Sequence, residues 1–424
     1  MAVTEIREVH EANWLERMGS ACSGALKGLA LVVGAGVLIF FNEGRAVKTA
    51  RSLDEGAGAV VSVPSDKVDP ANEGKLVHVS GRADTKDELS DPVFGISTVS
   101  LRLNRKVEIY QWVEKEETHR EKQGDKTIEK TTYTYAKQWC SKPVDSQGFK
   151  EAGHSNPAAA MPFSDEEKFA KNATLGAFRL SEVNLKRMHG FKALPFAPDF
   201  KLPEALKGAS LVNGVIYLPT STTAPTSASP TVSAGGTSPL MAAAKAAAGA
   251  VTNAVNGALS NPAANPQLGD LRVTFTVVEP HDISLCFKQR GDTFVPWTSS
   301  NGRAIELQED GLVDAAAMFA SAKSANSTLT WILRFVGFML MFGGFKMVFA
   351  PFVTLVDVIP LLNGIVSIGL KLVAFLLATA GSLLTAGVAW IFYRPVLGIT
   401  LVAIAVACVV LLLVMKRGKA APAK

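Results

Sequence analysis

The apolar residues of this chain lie almost entirely at its two ends, and this distribution constrains the fold more than any other feature. One hydrophobic segment runs from Leu26 to Phe41, and nearly everything from Trp331 to Met415 is apolar. A helix needs about 20 apolar residues to cross the hydrocarbon core of a membrane. The sequence therefore predicts an integral membrane protein with a long polar region between its first span and its later ones.

Charges and prolines divide the apolar regions into four predicted transmembrane helices. They cover residues 24–41, 331–350, 371–393 and 396–415. The stretch between the second and the third, residues 351–370, is apolar but carries Asp357, Pro360 and Gly364. These residues predict an interfacial or re-entrant connector, and a fifth span is the alternative.

Basic residues near the ends of the spans predict the orientation. Residues 416–424 contain Lys416, Arg417, Lys419 and Lys424 and no acidic residue. Because cytoplasmic flanks are enriched in Lys and Arg, this tail is expected in the cytoplasm. With four spans, residues 1–23 join it there, and the large domain of residues 42–330 lies on the opposite face, periplasmic or lumenal.

The polar region between the first two spans is predicted to be mostly antiparallel β structure. Five runs are rich in β-branched and aromatic residues: 75–82, 107–117, 127–139, 271–278 and 283–289. The second and third should form a hairpin that turns near Gln123 to Asp125, with Tyr110 or Trp112 facing an aromatic residue of the other strand. A helix over 314–327 leads back to the membrane. The fold class is therefore an α+β membrane protein.

One stretch does not belong to that domain. Residues 219–240 are dominated by Thr, Ser, Pro, Ala and Gly, and residues 241–259 are mostly Ala. The first composition is typical of a flexible segment and the second of a small Ala-rich helix, so residues 219–266 are predicted to be an insertion.

Small residues at helical spacing are the candidates for helix packing. Ser20, Gly24 and Gly28 repeat every fourth residue at the start of the first span, which allows another backbone to approach closely. Packing within one bundle and self-association are both open explanations.

Catalytic and metal-binding patterns are not found in the sequence. The six histidines show no i, i+4 pair, and neither a P-loop nor a Gly-x-Ser-x-Gly motif occurs. A net charge of +5 with interspersed signs does not indicate nucleic-acid binding. Cys140 and Cys286 either form a disulfide or remain free, and residues 290–292 (Arg-Gly-Asp) are predicted to form a turn. The sequence thus predicts no catalytic residue, no cofactor and no metal.

Several motifs, in order along the chain, resemble those of the transmembrane protein 43 family, also called LUMA. The first begins with Asn42, Glu43, Gly44, Arg45 and Lys48 at the membrane exit. The others are the segments 72–78, 89–92, 107–114, 153–157, 269–273, 289–292 and 392–395. The resemblance spans nearly the whole chain and is interrupted chiefly at residues 219–263.

The resemblance implies four spans with a large domain between the first two. Animal members lie in the endoplasmic reticulum and inner nuclear membrane, where they self-associate and organise membrane protein complexes. A bacterial chain of this kind would lie in the cytoplasmic membrane. For the first motif we expect Arg45 and Lys48 to meet lipid phosphates, and Glu43 to pair with Arg394.

The sequence thus favours a non-enzymatic multi-pass membrane scaffold. Its expected partners are membrane lipids, further copies of itself and other membrane proteins. One alternative is an accessory subunit of a channel or transporter, which reconstituted ion flux would reveal. The other is an enzyme or ligand-binding module, which needs a site joining His78, His154 or His281 to carboxylates.

Overall fold

The computed structural model describes residues 5–12, 14–123, 126–157, 161–206, 208–220, 263–356, 360–396 and 398–400. It confirms the predicted α+β class, since long apolar helices carry a large and mostly antiparallel β domain. The helices are α1 (Trp14–Ala59), α2 (Glu182–Lys186), α3 (Ala315–Val356) and α4 (Pro360–Tyr393).

Three helices in the described part of the chain are long and apolar enough to cross a membrane: α1, α3 and the part of α4 from Val366 onward. Residues 351–356 continue α3, and residues 360–370 open α4, so the described parts of the predicted connector are helical. Residues 398–400 are helical as well. The rest of the predicted fourth span and the basic tail lie outside the described residues, as do residues 221–262 of the predicted insertion.

Helices α1 and α3 run antiparallel and touch through glycines. A Cβ on Gly28 would lie 2.6 Å from the carbonyl oxygen of Gly344, and a Cβ on Gly344 would lie 2.8 Å from that of Gly28. Further along, Gly337 faces Ile39, which is buried in a cluster with Ala35 and residues of α3 and α4. Without side chains at these two glycines, the backbones approach closely enough to bury this seam.

The β domain contains nineteen strands among the described residues. In chain order they are β1 (Glu5–Ala12), β2 (Val61–Ser62), β3 (Leu76–Asp84), β4 (Glu88–Asp91), β5 (Ile96–Val99), β6 (Arg102–Gln123), β7 (Lys126–Cys140), β8 (Glu166–Phe169), β9 (Thr174–Leu175), β10 (Phe178–Arg179), β11 (Lys192–Ala193), β12 (Ser210–Val212), β13 (Val215–Leu218), β14 (Leu271–Val278), β15 (His281–Arg290), β16 (Thr293–Val295), β17 (Trp297–Thr298), β18 (Ala304–Ile305) and β19 (Leu307–Asp310).

Two larger sheets form the body of this domain. One has the order β1-β7-β6-β14-β13-β12, with β8 beside β6 and β11 beside β14; the other has the order β19-β15-β16-β10-β9-β3-β2, with β15 also beside β3. Strand β14 shows why the sequence forms a sheet, because alternate residues from Leu271 to Val277 are buried while those between them are half-buried.

Several local predictions are confirmed. Strands β6 and β7 pair antiparallel from Gln123 opposite Lys126 outward, and Tyr110 faces Trp139 with ring centroids 5.2 Å apart. Gly291 has a φ of 59° in the turn between β15 and β16, as the turn prediction for residues 290–292 requires. Helix α3 begins directly after Asp314, whose carboxylate accepts a hydrogen bond from the Ala317 amide. Cys140 and Cys286 are free thiols, so the disulfide alternative is wrong.

Strand β1 bears on the predicted orientation. It precedes α1 in the chain, yet it pairs with β7, from Glu5 opposite Thr134 to Ala12 opposite Thr127. Paired strands lie on one side of a membrane, whereas the two ends of a helix that crosses once lie on opposite sides. The hairpin carries charges of both signs, which are costly in hydrocarbon. The β1–β7 pairing and a single crossing of the membrane by α1 therefore cannot both occur in one chain.

Candidate functional site

The membrane-exit motif does not follow the first helix but lies within it. Helix α1 continues without a break to Ala59, and Asn42, Glu43 and Gly44 are all buried there. Charged residues are almost never fully buried unless they are paired. The burial of Glu43 therefore requires a partner from a neighbouring helix.

That partner is Arg334 of α3. The Nε and Nη2 atoms of Arg334 donate to the two carboxylate oxygens of Glu43 at 2.5 and 2.9 Å. From α4, the indole Nε1 of Trp390 donates to the Oε2 of Glu43 at 2.8 Å. The expected pairing of Glu43 with Arg394 is wrong, because Arg334 on the facing turn of α3 reaches the carboxylate with a two-pronged donor. One carboxylate thus holds three helices together.

Two aromatic rings enclose the guanidinium of Arg334. Its central carbon lies 4.7 Å from the ring centroid of Trp331 and 5.9 Å from that of Trp390. Both rings attract the cation through their π faces and shield it from water. The Glu43 side chain is 1% exposed and the Arg334 side chain 24% exposed. The carboxylate therefore points into the bundle, and the guanidinium closes it from outside.

Two residues further along α1, Arg45 enters a second hydrogen-bond network with α3. Its guanidinium donates to Asn326 Oδ1 at 2.9 Å, to Thr330 Oγ1 at 3.0 Å and to Asn42 Oδ1 at 3.1 Å. In return, Asn42 donates to the Thr330 carbonyl and Asn326 to the Ala46 carbonyl, both at 3.1 Å. These partners replace the lipid phosphates expected for Arg45. The exposed Lys48 contributes its carbonyl oxygen to the next contact along α1.

At Gly44, a side chain of α4 packs directly against α1. A Cβ on Gly44 would lie 2.5 Å from the Tyr393 ring. The carbonyl oxygen of Tyr393 accepts a hydrogen bond at 2.8 Å from Arg51, which lies about two turns after Gly44 in α1. The glycine of the motif is therefore required by the Tyr393 ring, which belongs to the last of the family segments, residues 392–395.

The last turns of α1 attach to the β domain through the turn between β17 and β18. Ser52 donates to Asn301, which itself donates to the Lys48 carbonyl. Glu55 accepts from both the amide and the hydroxyl of Ser300. Below them, Leu53 packs with residues of the sheet and of α3 in one buried cluster. The membrane helix and the domain are therefore fastened together without a linker.

The three small residues proposed for helix packing have different surroundings. Gly28 lies at the contact with Gly344 described above, whereas a Cβ on Gly24 would meet nothing within 4 Å, and Ser20 is exposed. The seam within the chain instead follows Ala21, Gly28, Ala35 and Ile39, a spacing of seven and four residues. Gly24 and Ser20 thus face away from this bundle.

The histidines considered for catalysis lie apart from one another. The His78 ring contacts Ser62, Ser80 and the Val313 carbonyl, and His281 lies 3.2 Å from Asp310 on the sheet surface. His154 is stacked on Tyr135 at 4.1 Å and lies 3.4 Å from Glu151. Across the described ranges, no group of three His, Cys, Asp or Glu side chains is arranged to hold a metal ion.

Sequence reasoning found one side of this site and missed the other. It selected Asn42, Glu43, Gly44 and Arg45 but predicted no partner role for Arg334 or Trp390. The available signal was charge: a carboxylate just after one apolar run and a guanidinium at the start of the next. Antiparallel neighbouring helices bring such positions to the same depth.

Comparison with known proteins identifies one family. The family model described as Transmembrane protein 43 matches residues 109–395. Transmembrane protein 43 of Homo sapiens is 33% identical over 420 residues, covering 95% of this chain and 94% of that protein. The Mus musculus protein is 33% identical over 397 residues, covering 91% and 88%, respectively. The Transmembrane protein 43 homolog of Drosophila melanogaster is 28% identical over 388 residues, covering 88% and 90%.

No solved structure matches the chain. The family model covers more than half of the residues, and the mammalian relatives align over nearly the whole length. The chain therefore belongs to the transmembrane protein 43 family.

Proposed function

We propose that this protein is a non-enzymatic membrane scaffold that self-associates and organises other membrane proteins or the membrane itself. One observation carries the proposal: the motif of α1 is used for attachment throughout. Glu43 holds α3 and α4, Arg45 holds α3, and Ser52 and Glu55 hold the β domain. These hydrogen bonds therefore fix α1 rigidly against α3, α4 and the β domain.

A rigid connection between spans and domain suits a scaffold. It holds the sheets of the domain at a fixed position relative to the spanning helices, so that partners bound to the domain keep a defined arrangement with those helices. The apolar outer faces of α1 and α4, including Leu26, Val33, Leu383 and Leu384, are available to lipid or to further copies. The partners we propose are membrane lipids, copies of this chain and other membrane proteins.

We propose that the protein lies in a cellular membrane and that its large domain faces the periplasm or a lumen. The support is the basic tail of residues 416–424, which is typical of a cytoplasmic end. In a eukaryotic cell this membrane would be the endoplasmic reticulum or inner nuclear membrane, and in a bacterium the cytoplasmic membrane.

The deciding experiment is the native mass of the full-length protein, taken directly from membranes in nanodiscs, with proteins and lipids identified in the same run. We expect a defined oligomer that retains other membrane proteins. A clean monomer without partners would contradict the proposal. Steady ion flux through the purified protein in liposomes would contradict it too, in favour of a channel component.

A further inference from the structure

A cleft between α3 and α4 opens directly beside the Glu43–Arg334 pair. Its volume is about 470 Å³. This lies within the range of about 300–1,000 Å³ that small-molecule sites occupy. Its walls are mostly apolar, and Phe335, Phe338 and Leu383 are among them. Phe335 and Leu383 are 62% and 68% exposed on the outside of the bundle, so in a membrane the cleft faces hydrocarbon.

The cleft is elongated along the helices. On α3 it reaches from Trp331 to Phe338 and on α4 from Trp390 back to Thr379. At a rise of 1.5 Å per residue, these stretches are about 10 and 16 Å long. An acyl chain lying along the helices matches this shape.

One end of the cleft differs from the rest, because Trp331, Arg334 and Trp390 meet there. Tryptophans concentrate at the boundary between hydrocarbon and headgroups. The Nε and Nη2 atoms of Arg334 are directed at Glu43, and Nη1 has no hydrogen-bond partner among the residues that the structure describes. One donor edge of the guanidinium therefore remains at the mouth of the cleft.

Cations outnumber carboxylates around this mouth. Glu43 is the buried anion, whereas Arg334, Arg45 and Arg394 all lie close enough to interact with it electrostatically. Arg51 is also near, since it donates to the carbonyl oxygen of Tyr393. The nearby acidic residue Asp54 is already paired with Lys323. A local excess of positive charge at headgroup depth attracts anionic lipids.

We propose that this cleft binds one acyl chain of an anionic phospholipid, whose phosphate accepts a hydrogen bond from the free edge of the Arg334 guanidinium. The apolar walls hold the chain, the two tryptophans mark the headgroup level, and the surplus arginines select negative charge. The proposal requires that the helices lie in a membrane, and it does not depend on self-association.

Two glycines of α4 offer a matched pair of variants. Gly387 lines the cleft, and a Cβ there would meet no atom of the described part of the chain within 4 Å, so a larger side chain enters the cleft without moving the described backbone. Gly369 lies on the same helix with equally open space and does not line the cleft. Gly387→Leu should therefore fill the site, and Gly369→Leu should leave it intact.

The test uses the full-length protein in nanodiscs that contain equal amounts of phosphatidylglycerol and phosphatidylcholine. Lipids that remain bound after transfer to mild detergent are counted by native mass spectrometry. We expect about a fivefold preference for phosphatidylglycerol, corresponding to one favourable headgroup charge contact. Gly387→Leu should abolish the retained lipid, and Gly369→Leu should keep it. Equal retention of both lipids, or identical behaviour of both variants, would overturn the proposal.

A photoactivatable phosphatidylglycerol with a diazirine near the chain end locates the lipid. Crosslinks to Phe335, Phe338 or Leu383 support the assignment. The competing occupants are residues 401–415 of this chain and a second copy. A disulfide that forms quantitatively between Leu383→Cys and a cysteine placed in residues 401–415, or between two Leu383→Cys chains, would show such an occupant and overturn the proposal.

Discussion

The guanidinium of Arg334 and the carboxylate of Glu43 form a two-pronged ion pair between α3 and α1, although the two residues are separated by 291 positions in the chain. The carboxylate is nearly inaccessible, at 1% exposure. Removing one member of a buried pair leaves the other charge without compensation, which costs about 3–5 kcal/mol.

We therefore expect Glu43→Ala to destabilise the helix bundle strongly, measured as a loss of thermal stability of the purified protein in detergent. The exposed pair Asp54–Lys323 joins the same two helices and provides the control. Exposed pairs contribute about 0–1 kcal/mol, so Asp54→Ala should change little. Equal effects of the two variants would show that burial of the Glu43 pair is unimportant.

Gly44 should not tolerate even a methyl group. In Gly44→Ala the new Cβ would fall 2.5 Å from the Tyr393 ring. Forcing extra atoms into a packed contact costs about 1–3 kcal/mol. Gly19 lies on the same helix with open space around it, and Gly19→Ala should be neutral or stabilising by up to about 1 kcal/mol, because alanine is the better helix former. Thermal unfolding in detergent compares the two, and a neutral Gly44→Ala would exclude the close approach of α4.

Self-association should depend on the part of α1 that the bundle leaves open. We expect Gly24→Leu to shift the oligomer toward monomer while the thermal stability of the monomer is kept, because no atom of the described residues lies within 4 Å of a Cβ at this position. Gly34→Leu adds the same bulk at an equally open glycine on a different side of the helix. Analytical ultracentrifugation in detergent measures both. Unchanged association of Gly24→Leu would leave Ser20 and Gly24 without a role between copies.

Cys286 should report on the junction between the helices and the domain. Burial raises the pKa of its thiol to about 12, and the side chain lies in the cluster formed with Leu53 and Phe319. Only the thiolate reacts with alkylating reagents. At pH 8, well below the raised pKa, Cys286 therefore stays protonated and unreactive until the junction opens.

We expect iodoacetamide to modify Cys140, which is only half-buried, in the native protein, and to modify Cys286 only after denaturation. Peptide mass mapping distinguishes the two sites. Rapid native labelling of Cys286 would mean that the junction opens readily.

The orientation of α1 can be decided with cysteines at positions 8 and 131, which lie opposite each other in the β1–β7 pairing. We expect Glu8→Cys and Thr131→Cys to react with a membrane-impermeant maleimide from opposite sides of sealed vesicles, because the charged hairpin cannot share the hydrocarbon with α1. Labelling from opposite sides would mean that β1 does not pair with β7 when the protein is inserted in a membrane. A disulfide formed between the two cysteines within one chain would instead place both on one side and contradict a simple crossing.

Local patterns predicted much of the domain and little of the site. The alternation over residues 107–117 and 127–139 is strong enough to give β6, β7 and their register, because cross-strand pairing across a short turn is decided by nearby residues. Strands of two residues, such as β9 and β10, have no signal of their own and form only because longer strands surround them. The pairing of Glu43 with Arg334 rather than Arg394 depends on how α3 packs on α1, which no local pattern contains.

Helix α1 contains 46 residues, which at 1.5 Å per residue is about 69 Å of continuous helix. A hydrocarbon core of about 30 Å holds less than half of it. The rest of the helix extends beyond the hydrocarbon as a rigid rod, and Ser52 and Glu55 near its C-terminal end attach it to the β domain. About 34 Å of helix separates the middle of the predicted span, residues 24–41, from Glu55. A change of 10° in the tilt of the span would therefore move that end by about 6 Å. Because helices tilt to match the thickness of the surrounding bilayer, we expect the position of the domain to vary with membrane thickness.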